Sequence, residues 1–249
     1  MRRNRSAVAI AAVGAVLGAA VVVLAPAALS APSTAPSACG TTYQPVLDPA
    51  NFVSVIDNQY FPLPVGRKLV YTGVKDGQTQ TDRVTVTSQK KVILGISTTV
   101  VFDVADHNGT VLERTFDYYA QDRQGNVWYL GEDTTHYLAN GKGDTSGSFT
   151  AGVDGAQPGI IMKADPQIPD AYRQECYAGQ AEDTAFVVGR GGITRVPYGR
   201  VSNTLSTLEA TQLEPGAYDE KVYGAGLGIV SERSLTGDPE VAQLVSVTG

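Results

Sequence analysis

From Arg67 onward the chain carries glycine-bearing turn signals every eight to twelve residues, and nowhere does it sustain an apolar spacing of three and four over a helix length. That pattern confines it to short strands joined by tight connections. Asp76-Gly77 and Asn108-Gly109 are strong hairpin cues, and Gly95 marks a further turn. Between them run β-favouring segments: Lys68 to Thr72, Gln80 to Ser88, Lys90 to Leu94, Ser97 to Val104 and Val111 to Tyr119. Alternation places Val84 and Val86 on an inner face and Thr85 and Thr87 on an outer one. The expected fold is all-β: an antiparallel meander forming a curved sheet, half-barrel or sandwich from two similar halves.

The densest aromatic stretch is Phe116 to Tyr137. Phe116, Tyr118 and Tyr119 precede the polar run Asp122-Arg123-Gln124-Gly125-Asn126, and Val127, Trp128, Tyr129 and Leu130 resume the β pattern, a hairpin signature. The tyrosines and the tryptophan each have an apolar body and a polar tip, so the same residues suit a binding surface. Upstream, Asp48-Pro49 is placed to cap a short helical turn.

The second half echoes the first at an offset of about 100 residues. Pro62 to Gly66 followed by Tyr71-Thr72-Gly73 resembles Pro166 to Asp170 followed by Tyr177-Ala178-Gly179, and Phe116 to Ala120 resembles Lys221 to Ala225. The expected organisation is one β domain over residues 42–249, with halves at 58–139 and 166–249. They are joined by an irregular segment, 140–165, that keeps apolar anchors such as Phe149, Ile160, Ile161 and Met162.

Residues 1–30 read as a secretory signal peptide: Arg2, Arg3 and Arg5, then the apolar run Ala7 to Leu24, then small residues. The run is also near the length of a membrane span, so a retained anchor is the alternative. A Pro/Ser/Ala linker, 31–41, follows and contains Cys39. The expected location is secreted or cell-envelope. In that setting the two cysteines, Cys39 and Cys176, read as one disulfide. The whole chain has net charge −6; without the three signal arginines it has 16 basic against 25 acidic side chains, a net charge of −9. By net charge it offers no footprint for nucleic acid, and none for a membrane beyond the export signal.

The chemistry-bearing motifs are absent. No Gly-x-Ser-x-Gly elbow occurs, and Gly143-Asp144-Thr145-Ser146-Gly147 has its serine one place late. Two isolated histidines, His107 and His136, give no metal motif, no Asp-x-Asp-x-Asp loop exists, and Gly224-Ala225-Gly226-Leu227-Gly228 reads as a strand turn rather than a phosphate loop. No cofactor and no metal are expected. Paired carboxylates remain the one enzymatic option: Glu132 or Asp133 with Asp154, as in a hydrolase.

Several stretches resemble a group of exported bacterial proteins without an assigned activity: Asn58 to Leu63, Val127 to Thr134, Gly152 to Ala156 with Pro158 to Met162, and Tyr223 to Val230. A looser, fold-level likeness is to the curved-sheet envelope proteins that carry lipoproteins or lipids. The resemblance implies export and a β fold, and carries over no catalytic residue. The reading is a non-catalytic exported β protein binding a small apolar or envelope-derived ligand. Trp128, Tyr129, Tyr137 and Met162 are the candidate contacts, with Glu132 and Asp154 as polar partners. The alternatives are the hydrolase and a structural or interaction module of the envelope.

Overall fold

The computed structural model describes residues 43–75, 77–237 and 240–249. The signal peptide, the linker with Cys39, and Asp76 lie outside the described residues. A 3-10 turn at Pro49–Asn51 is capped by Asp48, whose carboxylate accepts from the Ala50 amide at 2.9 Å. Everything else regular is strand. In chain order these are β1 (Phe52–Val53), β2 (Lys68–Lys75), β3 (Gln78–Ile93), β4 (Ile96–His107), β5 (Thr110–Asp122), β6 (Val127–Tyr137), β7 (Gly143–Asp144) and β8 (Phe149–Thr150). They continue with β9 (Gln157–Met162), β10 (Ala171–Arg173), β11 (Glu175–Cys176), β12 (Asp183–Val196), β13 (Gly199–Thr211), β14 (Tyr218–Gly224), β15 (Gly228–Ser234) and β16 (Val241–Thr248).

All pairs are antiparallel, and the main path runs β10-β12-β13-β14-β15-β16-β2-β3-β4-β5-β6-β9-β11. Its two ends are neighbours in sequence. Tyr172 on β10 pairs with Ala185 on β12, while Glu175 on β11 pairs with Pro158 on β9. Gln174, between them, donates its amide to Asp183 O at 2.9 Å. The extended segment 171–176 therefore ties one edge of the sheet to the other, and the sheet rolls into a nearly closed barrel that leaves few free edges.

Two meanders of five strands, β2 to β6 and β12 to β16, make up most of the wall, and β16 pairs with β2. The sequence echo does not follow this division. Tyr71 lies within β2, whereas Tyr177 is in a bridge after β11; Phe116 to Ala120 lies on the fourth strand of its meander, whereas Lys221 to Gly224 lies on the third. Nor is the segment 140–165 purely irregular. It contributes β7, β8 and β9, and β9 carries one side of the closing seam.

Period-two alternation sends one set of side chains inward. Leu69, Val84, Val86, Val101, Tyr119, Tyr129, Met162, Leu205, Tyr223 and Leu244 belong to one contiguous core. A second, smaller core lies on the outer face of β4 to β6. The β3–β4 ladder breaks register between Val86 and Lys90, and beyond the break Ile93 and Ile96 pack with Val100, Tyr118 and Leu130. Leu47, Phe52 and Trp128 pack against this outer cluster.

Candidate functional site

The inward rows carry more than apolar side chains. They also place a belt of buried carboxyls: Asp82, Asp103, Asp117, Glu132, Glu175, Asp183, Glu209 and Glu232. The register shows why they meet. Asp117 pairs with Glu132, Ala185 with Glu209, and Lys221 with Glu232 across adjacent strands. Lys221 is the central cation. Its Nζ lies 2.7 Å from Glu209 Oε2 and 3.9 Å from Glu232 Oε1, with 4% of its side chain exposed.

Glu209 is well satisfied: it also accepts from Gln174 Nε2 at 3.1 Å, Thr207 Oγ1 at 3.0 Å and the Tyr223 hydroxyl at 3.3 Å. The other side of the belt is poorer in donors. Asp117 Oδ1 accepts from the Tyr129 hydroxyl at 2.6 Å. Neither carboxyl oxygen of Glu175 has a hydrogen-bond partner among the described residues. Burial, reinforced by neighbouring carboxylates, raises these acids: Asp117 and Asp183 to about 7, Glu232 to about 8, and Asp103, Glu132 and Glu175 well above the ordinary range. Lys221 is instead held charged: desolvation opposes its charge, but Glu209 and Glu232 outweigh it and push its pKa upward. At one end of the belt His136 Nδ1 lies 2.6 Å from Glu113 Oε2, and that contact raises the imidazole against the opposing effect of burial.

The barrel is largely filled by its own side chains. Tyr119 stacks on Tyr129 at 4.9 Å between centroids, and Phe149 and Phe61 cap the pair edge-on at 5.4 and 5.1 Å. What space remains lies at the mouths. One cleft, beside the Asn58–Leu63 loop and the β14–β15 turn, has walls of Phe61, Leu63, Leu69, Tyr71, Leu227 and Ile229. It has an empty volume of about 400 Å³ including open solvent, and about 40 Å³ of it is enclosed enough for a few waters. At the opposite mouth a cleft with Lys75, Asp82, Asp219, Glu232 and Glu240 among its walls is charged. No three His, Cys, Asp or Glu side chains among the described residues are placed to hold a metal ion.

The candidate residues named from sequence do not converge. Tyr129, Glu132 and Met162 are interior and fully or almost fully buried. Trp128 faces the outer core and donates its indole NH to Asp122 Oδ2 at 2.9 Å. Tyr137 is exposed near the end of β6, with the Arg114 guanidinium 5.6 Å from its ring centre. Asp154 occupies an exposed turn with φ of 50°. Successive residues on a strand face opposite ways, so Glu132 points into the barrel while Asp133 points out, where Lys91 meets it at 3.1 Å. Sequence reasoning missed the belt. Its one available signal was partial: alternation puts Asp117 and Tyr119 on the face of Val84 and Val86, whereas Glu132 joins Tyr129 inside only through the register shift opposite Asp117–Tyr119.

Cys176 is buried at 1% exposure on β11, and its expected partner Cys39 lies outside the described residues. Among the described residues no helix is long and apolar enough to cross a membrane. No protein-family model matches the chain, and no curated protein matches it in sequence. Two solved structures are similar in shape. A predicted exported protein with a YmcC-like fold from Bacteroides fragilis NCTC 9343 has 13% identity and a TM-score of 0.44, over 77% of this chain and 100% of that one. A predicted lipoprotein from Parabacteroides distasonis ATCC 8503 has 11% identity and a TM-score of 0.40, over 77% of this chain and 99% of that one. Both scores lie below 0.5, and neither likeness transfers a function to this chain.

Proposed function

We propose that this is an exported, non-catalytic β-barrel protein that binds a small apolar group at one mouth of the barrel. The N-terminal sequence supports export. The observation that carries the binding reading is the apolar cleft between the Asn58–Leu63 loop and the β14–β15 turn. Its walls are almost wholly apolar, as those of ligand pockets generally are. The loop that forms one wall is fixed at its base, where the Asn58 side-chain amide donates to Gly125 O and Lys163 O at 2.9 and 3.0 Å. Its far side is tied as well: the Gly226 amide donates to Gln59 O at 2.8 Å and the Tyr60 hydroxyl to Asn203 Oδ1 at 3.3 Å. None of the buried acids lines this cleft, whose inner walls include Tyr71 and Tyr119.

The test is native mass spectrometry of the protein purified from its own secretion medium, with titration of an uncharged apolar fluorophore. Leu227 is half-buried on the rim, so Leu227→Arg leaves the barrel intact and fills the cleft with a charge. Added mass lost on denaturation, or fluorophore binding abolished by Leu227→Arg, supports the reading. A bare mass together with no fluorophore binding, or binding indifferent to Leu227→Arg, overturns it.

A further inference from the structure

The net negative charge conceals a basic element. Between Asp183 and Glu209 the sequence contains no acid, and it carries Arg190, Arg195 and Arg200. This stretch is the β12–β13 hairpin. Arg195 and Arg200 are direct partners across the ladder, one step from the Val196–Gly199 turn. Like charges facing each other across a ladder repel. Val196 and Val201 turn inward to the core, so both arginines turn outward and are exposed. Arg190 reaches Asp165 at 3.2 Å, but among the described residues neither the Arg195 nor the Arg200 side chain has a carboxylate or hydrogen-bond partner.

The arginines do not stand alone. Ile193, on the same outward row as Arg195, is 57% exposed, and Tyr198 in the turn is 44% exposed. The Tyr198 amide donates to Leu244 O at 2.9 Å, which brings the turn beside Val245, itself 36% exposed. The turn is thus fixed against β16, and it carries exposed apolar side chains beside two unneutralised guanidiniums. Beyond Val187 the outer edge of β12 is unpaired, but three register shifts interrupt it, so it is a poor template for an added strand. An acidic polymer would use the arginines and leave Ile193 and Tyr198 in water. A bilayer surface uses both: anionic headgroups for the guanidiniums and the interfacial zone for the tyrosine and isoleucine.

We propose that the tip of the β12–β13 hairpin docks the protein on an anionic phospholipid surface through Arg195 and Arg200, with Ile193 and Tyr198 entering the headgroup layer. At physiological ionic strength the screening length is about 8 Å, so the acids elsewhere on the barrel are largely hidden from a surface touched at this tip. Net charge is then the wrong guide, and the local pair decides.

The experiment is co-sedimentation of the exported form with vesicles of mixed phosphatidylglycerol and phosphatidylcholine, against vesicles of phosphatidylcholine alone. Binding to the anionic vesicles only, weakening as salt rises, is expected. Each arginine near an anionic leaflet strengthens partitioning about fivefold, so Arg195→Glu/Arg200→Glu should weaken it by at least about 25-fold. Both positions are exposed and outward, and circular dichroism checks that the barrel is retained. Ile193→Ser/Tyr198→Ser should weaken binding while leaving its salt dependence unchanged. No binding to anionic vesicles, or binding unaltered by the arginine reversal, overturns the proposal. Equal retention of wild type and Ile193→Ser/Tyr198→Ser on both vesicles and dextran sulfate also overturns it, and assigns the tip to an acidic polymer instead.

Discussion

Asp117 on β5 and Glu132 on β6 stand directly opposite each other across the ladder, both facing into the barrel, at 0% and 2% exposure. Two carboxylates so placed do not both ionise at low cost, because burial and mutual repulsion each favour the protonated form. Across the interior the same logic applies to Asp103, Glu175, Asp183 and Glu232.

This sets the pH dependence of stability. The folded carboxyls keep protons that the unfolded chain releases near pH 4, so between that pH and about 7 to 8 the folded state binds more protons. Stability therefore falls as pH rises through this window. Opposing contributions come from Asp106, Asp144 and Asp170, whose lowered pKa values stabilise above the ordinary carboxylate range and are lost in stronger acid; Asp144 and Asp170 are only half-buried, so theirs are small. The melting temperature should peak in acid, at about pH 4, and decline through about pH 8. A maximum at pH 8 would contradict the picture of a protonated belt.

Replacing Glu132 with Gln removes one of the facing charges and keeps its shape. Near pH 5, where the native side chain is already neutral, Glu132→Gln should change stability little. At pH 8 to 9 it should stabilise the barrel by about 1–3 kcal/mol, because the folded protein no longer has to hold a proton there. Denaturant melts of both proteins at the two pH values check the sign. Equal effects at both would place Glu132 outside the titrating belt.

Lys221 calls for the opposite treatment. Its ammonium is 2.7 Å from Glu209, with both side chains 4% exposed. Lys221→Met leaves the carboxylate buried without its cation and should cost about 3–5 kcal/mol. Adding Glu209→Gln removes the stranded charge and should recover a substantial part of that loss. A double-mutant cycle measures the difference, and simple additivity would show that the pair is not interacting.

These features mark where sequence reading reached and where it stopped. The turns were legible because their residues carry the constraint themselves: Gly95, Gly109 and Gly125 have φ of 78°, 82° and 95°. So was the Asp48 cap, and so was the hairpin around Gly125-Asn126, which joins β5 to β6. The belt was not legible, because an acid on a strand normally faces water, and the face of Asp117 or Glu209 is fixed only when distant strands pair. Trp128 looked like a ligand contact because it adjoins Tyr129, yet adjacency on a strand puts the two on opposite faces. Closure of the sheet was hidden for a different reason. It depends on segment 171–176, too short and too polar to announce a strand, changing partners from β12 to β9.

Cys176 lies in that changing segment, paired with Gln157 across the β9–β11 ladder. A bridge to Cys39 would pin the start of the exported chain to the seam. Intact mass should be two hydrogens below the fully reduced value, and reduction should lower stability by about 3–5 kcal/mol, given the long loop enclosed. Recovery of two free thiols from unreduced protein would rule the bridge out.

The seam itself is tested at Gly159 on β9. A Cβ added there would stand 2.1 Å from Gln174 O and 2.6 Å from the Glu175 amide nitrogen, so backbone on one side must move. The displaced atoms belong to the residues that link β10 to β11, and the strain falls on the contact that closes the barrel. Gly159→Ala should cost about 1–3 kcal/mol, the range for overpacking. It should also speed hydrogen exchange at the Gln157–Met162 and Glu175–Cys176 amides before it affects β3 or β4. Gly189→Ala serves as the control, since its Cβ would meet Ser206 Cβ at 3.4 Å, close to ordinary contact. Selective opening at β9 and β11 in the first variant, with no change there in the second, would show that closure depends on this one close approach. Uniform loss of protection across the barrel would mean instead that the seam and the wall unfold as one unit.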